Sequence, residues 1–130
     1  MTTIYLAGPI NGCNDTEANG WRRDFMDNLA GFSFLDPMVR DYRGREDECV
    51  SEIVEGDMAD IDAADVFLAY CWQVSWGTAM EIHYAHSVDK PVLLVYPPGK
   101  RVSPWLRYHS TAIVPSLYGA AKWLHTYSEC

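Results

Sequence analysis

The sequence contains no apolar run long enough to form a membrane-spanning helix, which excludes a helical integral membrane protein. Its four cysteines, Cys13, Cys49, Cys71 and Cys130, include no C-x-x-C pair, so neither a zinc site nor a disulfide framework is expected. Free thiols imply a reducing compartment, and the chain reads as cytoplasmic. Basic residues are scarce: 10 lysines and arginines against 18 aspartates and glutamates give a formal net charge of -8. That balance opposes binding to a nucleic acid polymer, whose affinity comes largely from cationic contacts to phosphates. A small anion held by local amides stays compatible with it. There is no G-x-G-x-x-G and no H-E-x-x-H, so no dinucleotide cofactor and no metal are expected. The opening "MTTIYLAGP" reads directly as a core strand, and neither a signal peptide nor an anchor is expected.

What is present is a regular alternation. A chain of 130 residues can bury a real core, and one domain spanning 1–130 is expected. Short apolar runs at 3–8, 32–37, 65–71, 90–97 and in "TAIVPS" read as buried parallel strands. Helical patterns separate them at 15–31, about 46–63, 77–88 and 116–127. In the first helix Trp21, Phe25 and Leu29 form one apolar stripe, and Gly31 supplies a stop. The segment "PGKRVSPWLRYHS" reads as a basic loop. Five strands with right-handed crossovers predict an α/β, three-layer doubly wound, flavodoxin-like sheet with helices on both faces.

In such a sheet ligands bind beyond the carboxyl ends of the strands. The residues placed there are those of "GPING" after strand one, 37–45 after strand two, 71–77 after strand three and 97–109 after strand four. Gly8 and Gly12 bring backbone close to a ligand or simply make a turn. Arg40, Tyr42 and Arg43 face a base or phosphate, or form a solvated basic loop. Trp72, Trp76 and Trp105 stack on a base or bury a subunit contact. His83 and His86, flanking Tyr84, read as surface residues rather than metal ligands.

Two carboxylates stand out. Val54, Met58 and Ile61 mark a buried stripe on the second helix, and Asp57 lies at its edge while Asp60 can point away. A carboxylate beside an apolar face needs a partner, whether a cap, an ion pair or a catalytic role. Glu81 has two readings as well. Thr78 to Glu81 spells T-x-x-E, a capping box at a helix N-terminus. Alternatively, Glu81 is a catalytic carboxylate at the mouth of the sheet. Paired carboxylates suit cleavage at an anomeric carbon, one attacking C1' and the other managing a proton.

The segments "IYLAGPI", "GFSFLDP", "DMADIDAADVFLA", "SWGTAMEIHYA" and "KPVLLVY", in this order, resemble the nucleoside 2-deoxyribosyltransferase family, including relatives that hydrolyse nucleoside 5'-monophosphates. The resemblance implies that Glu81 is the nucleophile that forms a covalent glycosyl-enzyme and that Asp57 assists at the base. Six residues before the nucleophile, family members acting on free nucleosides tend to carry aspartate and the monophosphate hydrolases serine; here it is Ser75. A serine beside the Gly77 and Thr78 amides at a helix N-terminus would accept a phosphate that an aspartate would repel. The loop around Gly8, Pro9, Ile10 and Gly12 is expected to hold the sugar. The resemblance also implies a homodimer or higher homo-oligomer with sites shared between subunits, His109 and Ser110 reaching the neighbour's pocket. The expected substrate is a deoxynucleoside or its 5'-monophosphate, with hydrolysis of the latter slightly favoured and base exchange between free nucleosides the alternative. A non-catalytic nucleotide sensor and a glycohydrolase splitting NAD are the rival readings.

Overall fold

The structure, a computed structural model, describes residues 1–129; the thiol of Cys130 lies outside the described residues. Five strands form one parallel sheet: β1 (Thr2–Ala7), β2 (Phe32–Leu35), β3 (Val66–Tyr70), β4 (Val92–Val95) and β5 (Ala112–Val114). The spatial order is β2-β1-β3-β4-β5, the flavodoxin-like arrangement the sequence predicts. The chain leaves β1 for one neighbour and later returns to its other side, so the topology switches between β1 and β3. Their register pairs Ile4 with Val66 and Ala7 with Ala69.

Because side chains alternate across a strand, the apolar strands supply two cores. One face buries Ile4, Leu6, Val66, Leu68, Leu93 and Val95 against Phe25, Leu29, Ala120 and Leu124. These contacts seat α1 (Trp21–Asp27) and α5 (Leu117–Ser128). The other face buries Tyr5, Ala7, Phe67, Ala69, Val92 and Leu94 against Ile61, Ala64, Ile82 and Ala85. It carries α2 (Val50–Ala63) and α3 (Trp76–Ser87). Each fully buried Leu, Ile or Val contributes about 1.5–3 kcal/mol, so these runs fix the sheet.

Several expectations change in detail. The first helix runs unbroken from residue 15 but ends at Asp27 instead of 31, and its first part, Thr16–Gly20, is π-helical and continues directly into α1. Gly31, at φ +91°, does turn the chain into β2 as its left-handed freedom allows. The basic loop after β4 contains a short helix, α4 (Pro104–His109), with Pro104 in its first turn and the Ser103 hydroxyl accepting from Trp105 N at 3.2 Å. The stripe on α2 is not uniformly buried. Ile61 is inaccessible, but Val54 is half exposed and Met58 stands at the surface. No helix among the described residues is long and apolar enough to cross a membrane.

Candidate active site

The segments that follow β1, β2 and β3 converge with α2 and α3 on a cavity of about 520 Å³ at the topological switch. That volume suits a small ligand of drug or nucleotide size. Its wall explains the outward-facing apolar positions of α2: Ile53, Val54 and Met58 line the cavity rather than a core, together with Met80 of α3 and the buried Met38. Amphipathic periodicity locates an apolar face but does not say whether protein or ligand covers it.

Glu81 and Asp57 meet at this cavity. Tyr5, midway along β1, donates its hydroxyl to Glu81 Oε2 at 2.5 Å, and the Glu81 and Asp57 carboxyls hydrogen-bond to each other. Two carboxyls in hydrogen-bond contact share a proton, because ionising both places like charges side by side. Burial, followed by the negative charge of Asp57, pushes the Glu81 carboxyl up to about 8. Burial also raises Asp57, against the pull of Arg40. Tyr5 is held far above the ordinary tyrosine range by burial and by Glu81, so it stays a proton donor at this site. Among the described residues the thiols do not compete as nucleophiles: burial raises Cys13 and Cys49 and pushes Cys71 up to about 12.

The capping-box reading of Thr78 and Glu81 is overturned. The N-cap of α3 is Ser75, in extended conformation, whose Oγ accepts from Thr78 N at 3.4 Å and from Thr78 Oγ1 at 3.2 Å. Glu81 therefore lies a turn beyond the cap and is free to face the cavity. With both lone pairs of Ser75 engaged by Thr78, its own O–H is left to donate outward. At Gly77 a Cβ would meet nothing within 4 Å, so the helix start presents bare backbone to the cavity.

The structure brings together Gly8, Ile10, Tyr42, Arg43, Ser75, Gly77 and Thr78 with the two carboxylates along the cavity wall. Pro9, Gly12, His109 and Ser110 are not among its lining residues. Gly8 has a packing reason as well: a Cβ there would lie 2.8 Å from the Trp21 ring. Gly12, at φ +77°, serves the turn. His109 is buried within its own chain, its Nδ1 paired with Trp105 O at 2.7 Å and its ring packed against those of His83 and His86. Ser110 donates to Leu106 O at 2.6 Å. No group of three or more His, Cys, Asp or Glu among the described residues is arranged to hold a metal ion.

Sequence reasoning missed Tyr5, and it placed Arg40 beside a base or phosphate without its carboxylate partners. Tyr5 was legible only as a tyrosine in an otherwise apolar strand. Arg40 binds Asp57 at 3.3 Å and Asp60 at 2.8 Å, so Asp60 does not point away but shares the same cation.

Comparison with known proteins fits this arrangement. No curated protein matches the sequence. Among solved structures, the chain resembles a 2-deoxyribosyltransferase from Bacillus psychrosaccharolyticus at 20% identity and TM-score 0.75, covering 92% of this chain and 90% of that one. A conserved protein from Enterococcus faecalis V583 gives 13% identity and TM-score 0.75 over 98% and 99% of the two chains. The Clostridium botulinum CMP N-glycosidase BcmB gives 18% identity and TM-score 0.59 over 95% and 99%. At these identities the likeness is one of fold. The family model for nucleoside 2-deoxyribosyltransferase matches residues 4–114, a span that holds both carboxylates, Tyr5 and the whole sheet, and the chain therefore belongs to that family of enzymes acting on nucleosides.

Proposed function

We propose that the protein cleaves the N-glycosidic bond of a 2'-deoxynucleoside or its 5'-monophosphate through a covalent glycosyl-Glu81 intermediate, with hydrolysis of the monophosphate favoured. The observation that carries the proposal is the hydrogen-bonded pair of Asp57 and Glu81 at the cavity, with the Tyr5 hydroxyl on Oε2 of Glu81. One proton shared by two carboxyls provides an acid and a nucleophile in one unit. Ionised Glu81 attacks C1', Asp57 delivers the proton to the departing base, and the base leaves neutral. Water then attacks the glycosyl ester, Asp57 taking up its proton; a second nucleobase in place of water would give base exchange.

The phosphate preference rests on Ser75 and Gly77. A free hydroxyl and an uncrowded amide at the N-terminus of a 12-residue helix favour an anion by hydrogen bonding and by the helix dipole. Backbone at Gly8 and Ile10 supports the sugar, while Tyr42 and Arg43 border the cavity from the loop after β2. A second copy of the chain covers the exposed apolar side chains of Trp76, Met80, Trp105 and Tyr108 on α3 and α4, which pack together through His86 and Tyr108. Cys13, Cys49 and Cys71 are free thiols, in keeping with work in the cytoplasm.

The test is incubation with a panel of deoxynucleosides and their 5'-monophosphates, each with and without a free second base, followed by chromatography. Release of base and deoxyribose 5-phosphate without acceptor is the expected result. Base exchange confined to free nucleosides would replace hydrolysis by transfer, and binding without any base release would leave only a nucleotide sensor.

A further inference from the structure

The loop after β2 lays one arginine across α2. Arg40 Nη2 donates to Asp57 Oδ1 at 3.3 Å and to Asp60 Oδ2 at 2.8 Å, bridging two carboxylates about one helical turn apart. The bridge has a seat. A Cβ on Gly56 would lie 3.1 Å from Arg40 Nε, tighter than side chains normally settle, so glycine lets the guanidinium rest against the helix. Glycine is a poor residue in the interior of a helix, and this contact gives it a reason to be there.

Arg40 touches one member of the carboxyl pair and not the other. Asp57 receives the guanidinium, whereas Glu81 receives the Tyr5 hydroxyl. When two carboxyls share a proton, a cation beside one of them holds the charge there and leaves the proton on its partner. In the empty site Asp57 is thus the ionised member and Glu81 the protonated one. Glycosyl cleavage needs the reverse.

Resting on the N-glycosidic reading above, we propose that Arg40 is a positioning residue that keeps the shared proton on Glu81 until an anionic substrate in the same cavity draws the guanidinium away from Asp57. The proton then crosses the existing hydrogen bond: the O–H of Glu81 breaks, the O–H of Asp57 forms, and the negative charge passes to Glu81. No further reactant is required. Arg40 borders the cavity with a third of its side chain exposed, within reach of such a ligand. The other groups facing Asp57 are Asp60 on its own helix, Glu81 on α3 and Tyr5 on β1. The buried Arg22 acts on Glu81 from α1, and Glu46, Arg43, Tyr42, His83 and Tyr84 border the same cavity.

The experiment follows the Asp57 and Glu81 carboxyl carbons by NMR during a pH titration of the substrate-free protein, with resonances assigned through Asp57→Asn and Glu81→Gln. In Arg40→Gln the Asp57 midpoint should rise by about 1 pH unit. Asp60→Asn, which removes a like charge and frees the guanidinium, should lower it. Arg40→Lys should stay closer to the parent than Arg40→Gln. Gly56→Ala, which keeps every charge and favours the helix, should shift the midpoint upward by less. An unmoved Asp57 midpoint in Arg40→Gln or in Gly56→Ala, with the amide spectrum preserved, overturns the proposal. In kinetics the acid limb of kcat/KM should move upward by a similar amount in Arg40→Gln, a change that a purely structural clamp would not cause. The preference for phosphorylated over free nucleosides should shrink in the same variant. Because the titration uses no substrate, absence of base release by the parent protein would sink the N-glycosidic reading while still reporting on Arg40.

Discussion

Alternate residues of the same strands face two unlike layers. Toward α1 and α5 the sheet presents Ile4, Leu6, Val66, Leu68, Leu93 and Val95, and the space is filled with carbon apart from the buried Arg22 guanidinium. Toward α2 and α3 it presents Tyr5, Phe67, Val92 and Leu94 but also the small Ala7 and Ala69, and Ala64 and Ala85 pack there beside Ile61 and Ile82. On α2 only Ile61 is buried, and on α3 only Thr78, Ile82 and Ala85. The sparsely buried α2 borders the cavity, and a single hydroxyl on β1 reaches Glu81. One layer is therefore core, whereas the other combines a core with the cavity and its carboxyl pair.

The comparison breaks most visibly at Glu81. In Glu81→Ala base release should fall by more than about 10⁴-fold while the melting temperature is unchanged or higher; a chromatographic assay and a thermal scan decide it. Asp57→Asn should cost about 10²–10⁴-fold in kcat, least for substrates whose base leaves readily without a proton. On the opposite face, Leu68→Ala should destabilise by about 2–5 kcal/mol in denaturant unfolding and leave kcat per folded molecule intact.

The pH dependence of stability sharpens the contrast further. Burial raises the Glu81 carboxyl from its ordinary 4.5 to about 8, so the folded state holds a proton that the unfolded chain releases earlier. Its contribution is fully present below pH 4.5 and is lost as pH rises through 8. Glu81→Gln should consequently match the parent protein near pH 4 and exceed it by on the order of 2 kcal/mol at pH 9, measured by denaturant titration at both values. The smallest effect belongs to the cavity wall. Val54→Ser, at a half-exposed position, should change stability by no more than about 0.5 kcal/mol while raising KM a few-fold.

How far these layers can be read from sequence follows from what each one requires. Strands buried on both faces announce themselves as apolar runs, and their alternation with helices fixes a doubly wound sheet. Asp57 and Glu81 were visible through family resemblance and through the expense of placing carboxylates among apolar neighbours. Val54 and Met58 misled because a cavity wall and a core share one periodicity. The cap moved from Thr78 to Ser75 because both residues can cap, and only the path of the chain out of β3 selects between them. Pro104 starts a helix of six residues, too short to show a period. Tyr5 and Arg40 act through partners distant in sequence, Tyr5 being separated from Glu81 by 76 positions, so no local pattern carries their roles.

The ring of Trp21 fills the place that a side chain on residue 8 would claim, leaning edge-on against Tyr70 at the end of β3. The cavity wall at Gly8 is thereby wedged to the opposite layer by one indole. A ligand pressing on Gly8 should therefore be felt at α1, and binding should change the fluorescence of that indole.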